Sequence, residues 1–248
     1  GRGVSRRRLW KPLMMAVVVA GVSVVLWQGA NTHTGNWFGH QVSHGPRRDN
    51  RVALTFDDGP NSTATVPIRD LLDARGVKGT FFLVGKAVAA RPDLARALVE
   101  RGHLVANHSW RHDSRGWLDP RYPELARTQQ VVDDNLGVCP AFYRAPHGQH
   151  TPLLARVVHR HGLTMIGWDV SAGDWKARSA RNLANRIVAK ARPGSIIDLH
   201  DGLDGRIDVD RTVVVAALPG ILDGLAAKGL RPVRLDELLG RTGYLEGC

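Results

Sequence analysis

The sequence predicts an α/β domain built on about seven parallel strands, open or closed into a barrel. Three observations predict it. From residue 52 onward, seven short β-rich runs alternate with stretches of helical periodicity. Proline and glycine punctuate the helices in the expected order, Pro in first turns and Gly at the stops. The chemically unusual residues all fall just after the β-rich runs, where the strands of such sheets bring their carboxyl ends to one face.

The runs lie at residues 52–56, 80–84, 103–106, 141–144, 164–170, 195–199 and 231–235. Between the first two, Ile68, Leu71 and Leu72 form one apolar helix face; Leu94, Leu98 and Val99 form another further on. Pro92 and Pro152 suit first helical turns, and Gly76, Gly102, Gly162 and Gly229 suit helix ends.

Ahead of this domain, a basic cluster (Arg6-Arg7-Arg8 to Lys11) precedes an apolar run from Leu13 to Trp27 that can extend to Ala30. The run falls between a signal-peptide core of about 7–15 residues and a bilayer span of about 17–25. It reads as an uncleaved signal anchor or as a cleaved signal peptide. In either case the basic flank stays cytoplasmic and everything after residue 30 lies outside the membrane, anchored or secreted. Residues 31–50 are polar and rich in Gly, Asn and His, and read as a linker. The domain is therefore expected over 51–248.

The chain has 248 residues and a net charge of +11, of which residues 1–51 carry +7. The body has no Lys/Arg stripe interleaved with aromatics, so nucleic-acid binding is not indicated. Nothing in the sequence implies a protein partner. Two cysteines, Cys139 and Cys248, exclude a disulfide framework and a Cys-based zinc or iron–sulfur site. Outside the cell the two can pair, tying residue 248 beside the Arg144 loop, or remain separate thiols.

The residues after the strands carry the chemistry. Asp57 and Asp58 end the first strand, where two adjacent carboxylates are costly without partners. Strand alternation points them different ways, so their roles differ. His108 and His112 are four apart, and one helical turn would set both imidazoles on one side. Two His and one carboxylate with positions left for water suit catalytic Zn²⁺ or non-haem Fe²⁺. The second Asp is then free to act as a base. Each piece alone is an ordinary turn or surface feature; the conjunction in one sheet is the signal. The other histidines (His33, His40, His44, His103, His150, His159 and His161) are expected at the surface.

These residues resemble the polysaccharide deacetylase family (NodB-homology domain, carbohydrate esterase family four) over roughly 50–240. The matching stretches are Thr55-Phe-Asp-Asp-Gly-Pro60, His108-Ser-Trp-Arg-His112, Arg144-Ala-Pro-His-Gly148, Asp174-Trp175 and Leu199-His200-Asp201. The resemblance implies a deformed (β/α) barrel with its active site at the carboxyl ends of the strands. It implies a metal-dependent hydrolase that removes N-acetyl groups from an amino-sugar polymer, with peptidoglycan or another envelope glycan as substrate.

Roles follow by position. Asp57 would be the general base, and Asp58, His108 and His112 would hold a divalent metal, usually Zn²⁺, with Co²⁺ an alternative. Arg144 would pair with Asp57, and the His147 backbone N–H would stabilise the oxyanion. His200 would protonate the leaving amine, tuned by Asp174. Trp175, Pro146, Asp198 and Leu199 would contact substrate.

Two positions depart from the family pattern. Ser171 stands where an Asp is usual, and Asp198 where a Leu is usual. A carboxylate moved to the neighbouring strand would make the acyl pocket more polar; alternatively Asp198 points into a local ion pair. These departures keep open an O-acetyl esterase and a non-catalytic glycan-binding relative. A non-haem iron oxygenase would share the metal triad, but no co-substrate site is legible.

Overall fold

The structure, a computed structural model, describes residues 10–30, 39–149 and 151–248. His33, His150 and the first part of the expected linker, 31–38, lie outside the described residues. The described elements run α1 (Trp10–Ala30), β1 (Arg51–Asp57), α2 (Thr65–Ala74), β2 (Thr80–Leu83), α3 (Gly85–Ala90), α4 (Pro92–Glu100) and β3 (Leu104–Asn107). Next come α5 (Pro123–Leu136), β4 (Cys139–Pro140), β5 (Phe142–Tyr143), α6 (Pro152–Arg160), β6 (Thr164–Met165) and β7 (Val170–Ser171). The remainder is α7 (Ala180–Lys190), β8 (Ile196–His200), α8 (Thr212–Ala227), β9 (Arg231–Val233), α9 (Leu235–Leu239) and β10 (Tyr244–Leu245). The helix α1 is 21 residues long and by length and composition could cross a membrane.

The main sheet is parallel, in the order β6-β5-β3-β2-β1-β8-β7, with β9 beside the start of β1. Helix punctuation is as read from sequence: Pro92 and Pro152 open α4 and α6, and Gly76, Gly102, Gly162 and Gly229 all take positive φ. Alternation sorts the side chains into two layers. Leu54, Phe56, Ile197 and Leu199 point outward and pack with Ile68, Leu98, Leu183 and Leu218 of the surrounding helices. Ala53, Phe82, Ala106 and Ile196 point inward. Thr55, Asp57, Asp198 and His200 continue that inner face upward. The inner layer is therefore apolar at its base and charged at its mouth.

Two expectations need correction. The run 164–170 is not one strand. Its first half, β6, pairs with β5 at one edge of the sheet, and its second half, β7, pairs with β8 at the other. Residues 166–169 carry the chain between the edges and curl the sheet into a deformed (β/α) barrel. The ladder breaks there because Asp169 Oδ1 accepts the Ile196 N–H (2.9 Å), so a side chain takes part in the backbone pairing.

Nor is the stretch before residue 51 all linker. Val42 bridges to Ile166 and His44 to Ser195, and Arg47 pairs with Asp169 at 2.6 Å. Residues 41–48 thus fill the gap left by the split strand.

The two cysteines are bonded, with Cα atoms 5.4 Å apart and a sequence separation of 109. The antiparallel pair β10–β4 runs alongside, so the bond and this ladder together fasten residues 244–248 beside the strand that leads to Arg144. A loop of about 100 residues closed by a disulfide is worth roughly 4–5 kcal/mol in the chain-entropy model.

Candidate active site

The carboxyl ends of β1, β3, β5, β7 and β8 converge, and the motif residues converge with them. Asp57 and His200 are register partners on β1 and β8. An oxygen of Asp57 and a ring nitrogen of His200 lie within 4.8 Å of each other. Glycine permits the close meeting of the two loops: a Cβ at Gly202 would collide with the Asp58 carbonyl, and one at Gly59 with the Asp201 carboxylate.

Asp58, His108 and His112 are all buried, with ligand atoms within 4.8 Å of one another. The histidines are not brought together by a helical turn, as their spacing suggests. The segment after β3 is a loop with positive φ at Ser109 (68°) and His112 (58°), and it folds the second imidazole back over the first. Each of the three side chains has a polar neighbour on its far side. His108 Nδ1 lies 2.9 Å from the Arg144 carbonyl, and Asp58 Oδ2 accepts the Asp204 N–H at 3.0 Å. His112 Nδ1 lies 3.1 Å from the Asp204 carboxylate. The atoms left facing inward are His108 Nε2 and His112 Nε2, at 3.4 and 3.2 Å from Asp58 Oδ1. That Asp58 oxygen is buried and has no hydrogen bond among the described residues. Burial and the neighbouring His108 lower the His112 pKa to about 4, which keeps its ring nitrogen available as a ligand. These three residues fit a divalent cation.

On the β1 side, Arg144 is buried across the inner face. Its Nη1 donates to Asp57 Oδ1 (2.6 Å) and Thr55 Oγ1 (2.9 Å), and Nη2 donates to the Gly167 carbonyl (3.1 Å). Its guanidinium lies 4.1 Å from the Phe82 ring centroid. Arg144 is therefore no loose ion-pair partner; three side chains and a carbonyl define its place.

On the β8 side, the Asp174 carboxylate accepts both the backbone N–H and Nδ1 of His200, each at 2.9 Å. Its Oδ2 also takes Arg211 Nη2 at 2.5 Å. Burial opposes charge on His200, but Asp174 and Asp198 outweigh it and lift its pKa well above the usual 6.5. The Trp175 ring, 46% exposed, stands edge-on to His200 with centroids 5.3 Å apart.

Other expected contacts fall differently. Leu199 is fully buried in the outer layer, because it alternates with His200, so it does not line the site. Asp198 is 1% exposed, and its Oδ1 sits 3.3 Å from Arg144 Nη1; it lies in an ion pair beneath the mouth rather than against substrate. Burial pushes its pKa up to about 7, Asp57 adding to the rise while His200 and Arg144 oppose it. Pro146 is buried and lines a cavity with Tyr122 and Leu154. His147 is exposed at φ 55°, its ring 4.5 Å from that of His112. His103, expected at the surface, is buried and accepts the Gly79 N–H.

Sequence reasoning missed Thr55 as a partner of Arg144, although it stands inside the quoted motif. It also missed Arg211 and Asp204, which sit in ordinary loop sequence without a local signal.

An Asp–His–His group flanked by a buried Asp–Arg pair and an Asp–His pair, at the mouth of a (β/α) barrel, defines a barrel protein whose residues could hold a metal ion beside paired titratable groups. The family model described as polysaccharide deacetylase matches residues 44–166. A chitooligosaccharide deacetylase from Bradyrhizobium is 34% identical over 196 residues, covering 75% of this chain and 90% of its own. The chain belongs to the polysaccharide deacetylase family. It is also 35% identical, over 78% of its length, to a peptidoglycan-N-acetylglucosamine deacetylase of Listeria monocytogenes, and spans 40% of that relative. The crystal structure of the peptidoglycan N-acetylglucosamine deacetylase Bc1960 superposes with a TM-score of 0.77 at 27% identity, covering 83% of this chain and 95% of that one.

Proposed function

We propose that this protein hydrolyses the N-acetyl amide of N-acetylglucosamine units in a cell-envelope glycan, from the outer side of a membrane to which α1 anchors it. The observation that carries the reading is the register pairing of Asp57 with His200 beside the Asp58–His108–His112 centre. It puts a proton acceptor and a proton donor within one substrate group of each other. The relatives named for peptidoglycan and for chitooligosaccharides both support an N-acetylglucosamine substrate. The apolar helix supports the membrane location.

A divalent cation held by Asp58, His108 and His112, Zn²⁺ first among candidates, would polarise the acyl oxygen and the attacking water. The remaining work belongs to side chains. Asp57, oriented by Arg144, takes the proton from water. His200 presents its free Nε2 to the leaving nitrogen, since Nδ1 is engaged by Asp174, and gives up a proton. An amide needs that donation more than an ester does, and the upward shift that Asp174 and Asp198 give His200 favours the amide. The His147 backbone N–H is assigned to the oxyanion; the His147 ring lies 4.5 Å from that of His112. Trp175 walls the acyl group.

The test is acetate release by the full chain in detergent, from N-acetylglucosamine oligomers and from isolated peptidoglycan, before and after Zn²⁺ or Co²⁺ is added. Release is expected only with metal, and is lost in Asp57→Ala and His108→Ala. Stoichiometric metal binding without release from any substrate would overturn the reading.

A further inference from the structure

Asp198 is a buried carboxylate that the proposed reaction leaves unused. It stands in β8 between its register partners, Thr55 of β1 and Ser171 of β7. Neighbours in such a row point to the same face, so the row crosses the inner layer directly below Asp57 and His200. Asp198 Oδ1 lies 3.3 Å from Arg144 Nη1, the same nitrogen that donates to Asp57 at 2.6 Å. At the end of the row, Ser171 Oγ is buried and has no hydrogen-bond partner among the described residues.

We propose that Asp198 is a positioning residue for the reaction, an anchor that fixes Arg144 from below so that the guanidinium holds Asp57 still, and that position 171 is a second seat for the same carboxylate. The physical case is geometric. A cation with a single anionic partner follows that partner when it moves. Asp57 must turn toward water to take a proton, and a guanidinium gripped by a second carboxylate, by Thr55 and by the Gly167 carbonyl does not follow it. For its activity readout, the proposal rests on the deacetylase reading.

The experiment compares the full-length protein with Asp198→Leu, Asp198→Asn, Ser171→Asp and the double variant Asp198→Leu/Ser171→Asp, all metal-loaded, on N-acetylglucosamine oligomers. Asp198→Leu is expected to lower kcat by about 10–100-fold with KM within about twofold. The double variant is expected to recover kcat to within about fivefold of wild type, because the anchor returns from the neighbouring strand. Ser171→Asp alone crowds a further carboxylate into the row and is expected to be slower than the double variant.

Wild-type kcat in both Asp198→Leu and Asp198→Asn, or a folded double variant no faster than folded Asp198→Leu, overturns the proposal. Should Asp198→Leu fail to fold, Asp198→Asn, which keeps the shape and removes the charge, supplies the kcat comparison. A wild-type chain that binds metal but releases no acetate sinks the deacetylase reading alone. The anchor is then read in the thermal midpoint of the metal-free chain: recovery in the double variant supports it, and additive losses overturn it.

Discussion

The two corners of the site to which the proposed reaction assigns its proton transfers are built as opposites. On the β1 side two carboxylates, Asp57 and Asp198, share one guanidinium, Arg144. On the β8 side two cations, His200 and Arg211, share one carboxylate, Asp174. Apart from the partly exposed His200 ring, both clusters are buried, so their charges act at short range with little solvent screening. In the proposed reaction, the carboxyl surplus lies where a proton is to be received and the basic surplus where one is to be given. Parallel strand register sets the corners side by side, and the same three-body device serves both with the signs exchanged.

The largest test removes the reacting group from either corner. Asp57→Ala and His200→Ala should each lower kcat/KM for acetate release by about 10²–10⁴. On an O-acetyl ester the His200→Ala loss should shrink, because the leaving group needs less help. An unchanged rate in either variant would take that corner out of the chemistry.

Stability separates the corners next. Arg144→Leu strips two buried carboxylates of their common cation and should cost about 3–5 kcal/mol in denaturant unfolding. Arg211→Leu should cost less, since Asp174 keeps His200. Equal losses would mean that the two clusters do not differ in the way their charge count implies.

The pH profile sharpens the β8 side. Asp174 is the strongest charge raising the His200 pKa against burial. Asp174→Asn should therefore move the alkaline limb of kcat/KM to lower pH. Arg211→Leu removes a cation that competes for Asp174 and should move that limb to higher pH. Displacement in the same direction would refute the shared-anion arrangement.

The smallest effect lies behind both corners. Asp201, fully buried on Thr65 Oγ1, has its pKa raised from 3.8 to about 7, chiefly by burial, with Asp58 and Asp57 adding. A carboxyl that binds its proton more tightly when folded contributes stability below about pH 4 and loses it as pH rises toward 7. Asp201→Asn should flatten that decline, with roughly 2–4 °C in Tm for each kcal/mol recovered. Thermal melts between pH 4 and 8 read it directly.

Much of this was legible in the sequence. The β-rich runs, the Gly stops and the Asp57-Asp58, His108, His112, Arg144 and His200 set are local signals: period-two burial, a helix-ending glycine, polar residues directly after an apolar strand. Strand alternation alone also placed Asp198 on the face of His200 and, properly applied, would have turned Leu199 away. Other features were not legible because their causes are not local. Arg211 reaches Asp174 across 37 residues, and Arg47 reaches Asp169 across 122; neither spacing leaves a pattern.

By itself, then, the sequence determined which segments become strands, which residues stand at their ends, and the acid, base and metal-ligand types available there, because hydrophobic periodicity and turn chemistry act over a few residues. Only the tertiary structure decided that residues 164–170 divide between two edges of the sheet, that 41–48 fill the gap, that Cys139 and Cys248 join, and which charges share a partner. Those outcomes depend on barrel closure and strand register, which bring distant side chains within a few ångströms and which no single stretch of chain encodes.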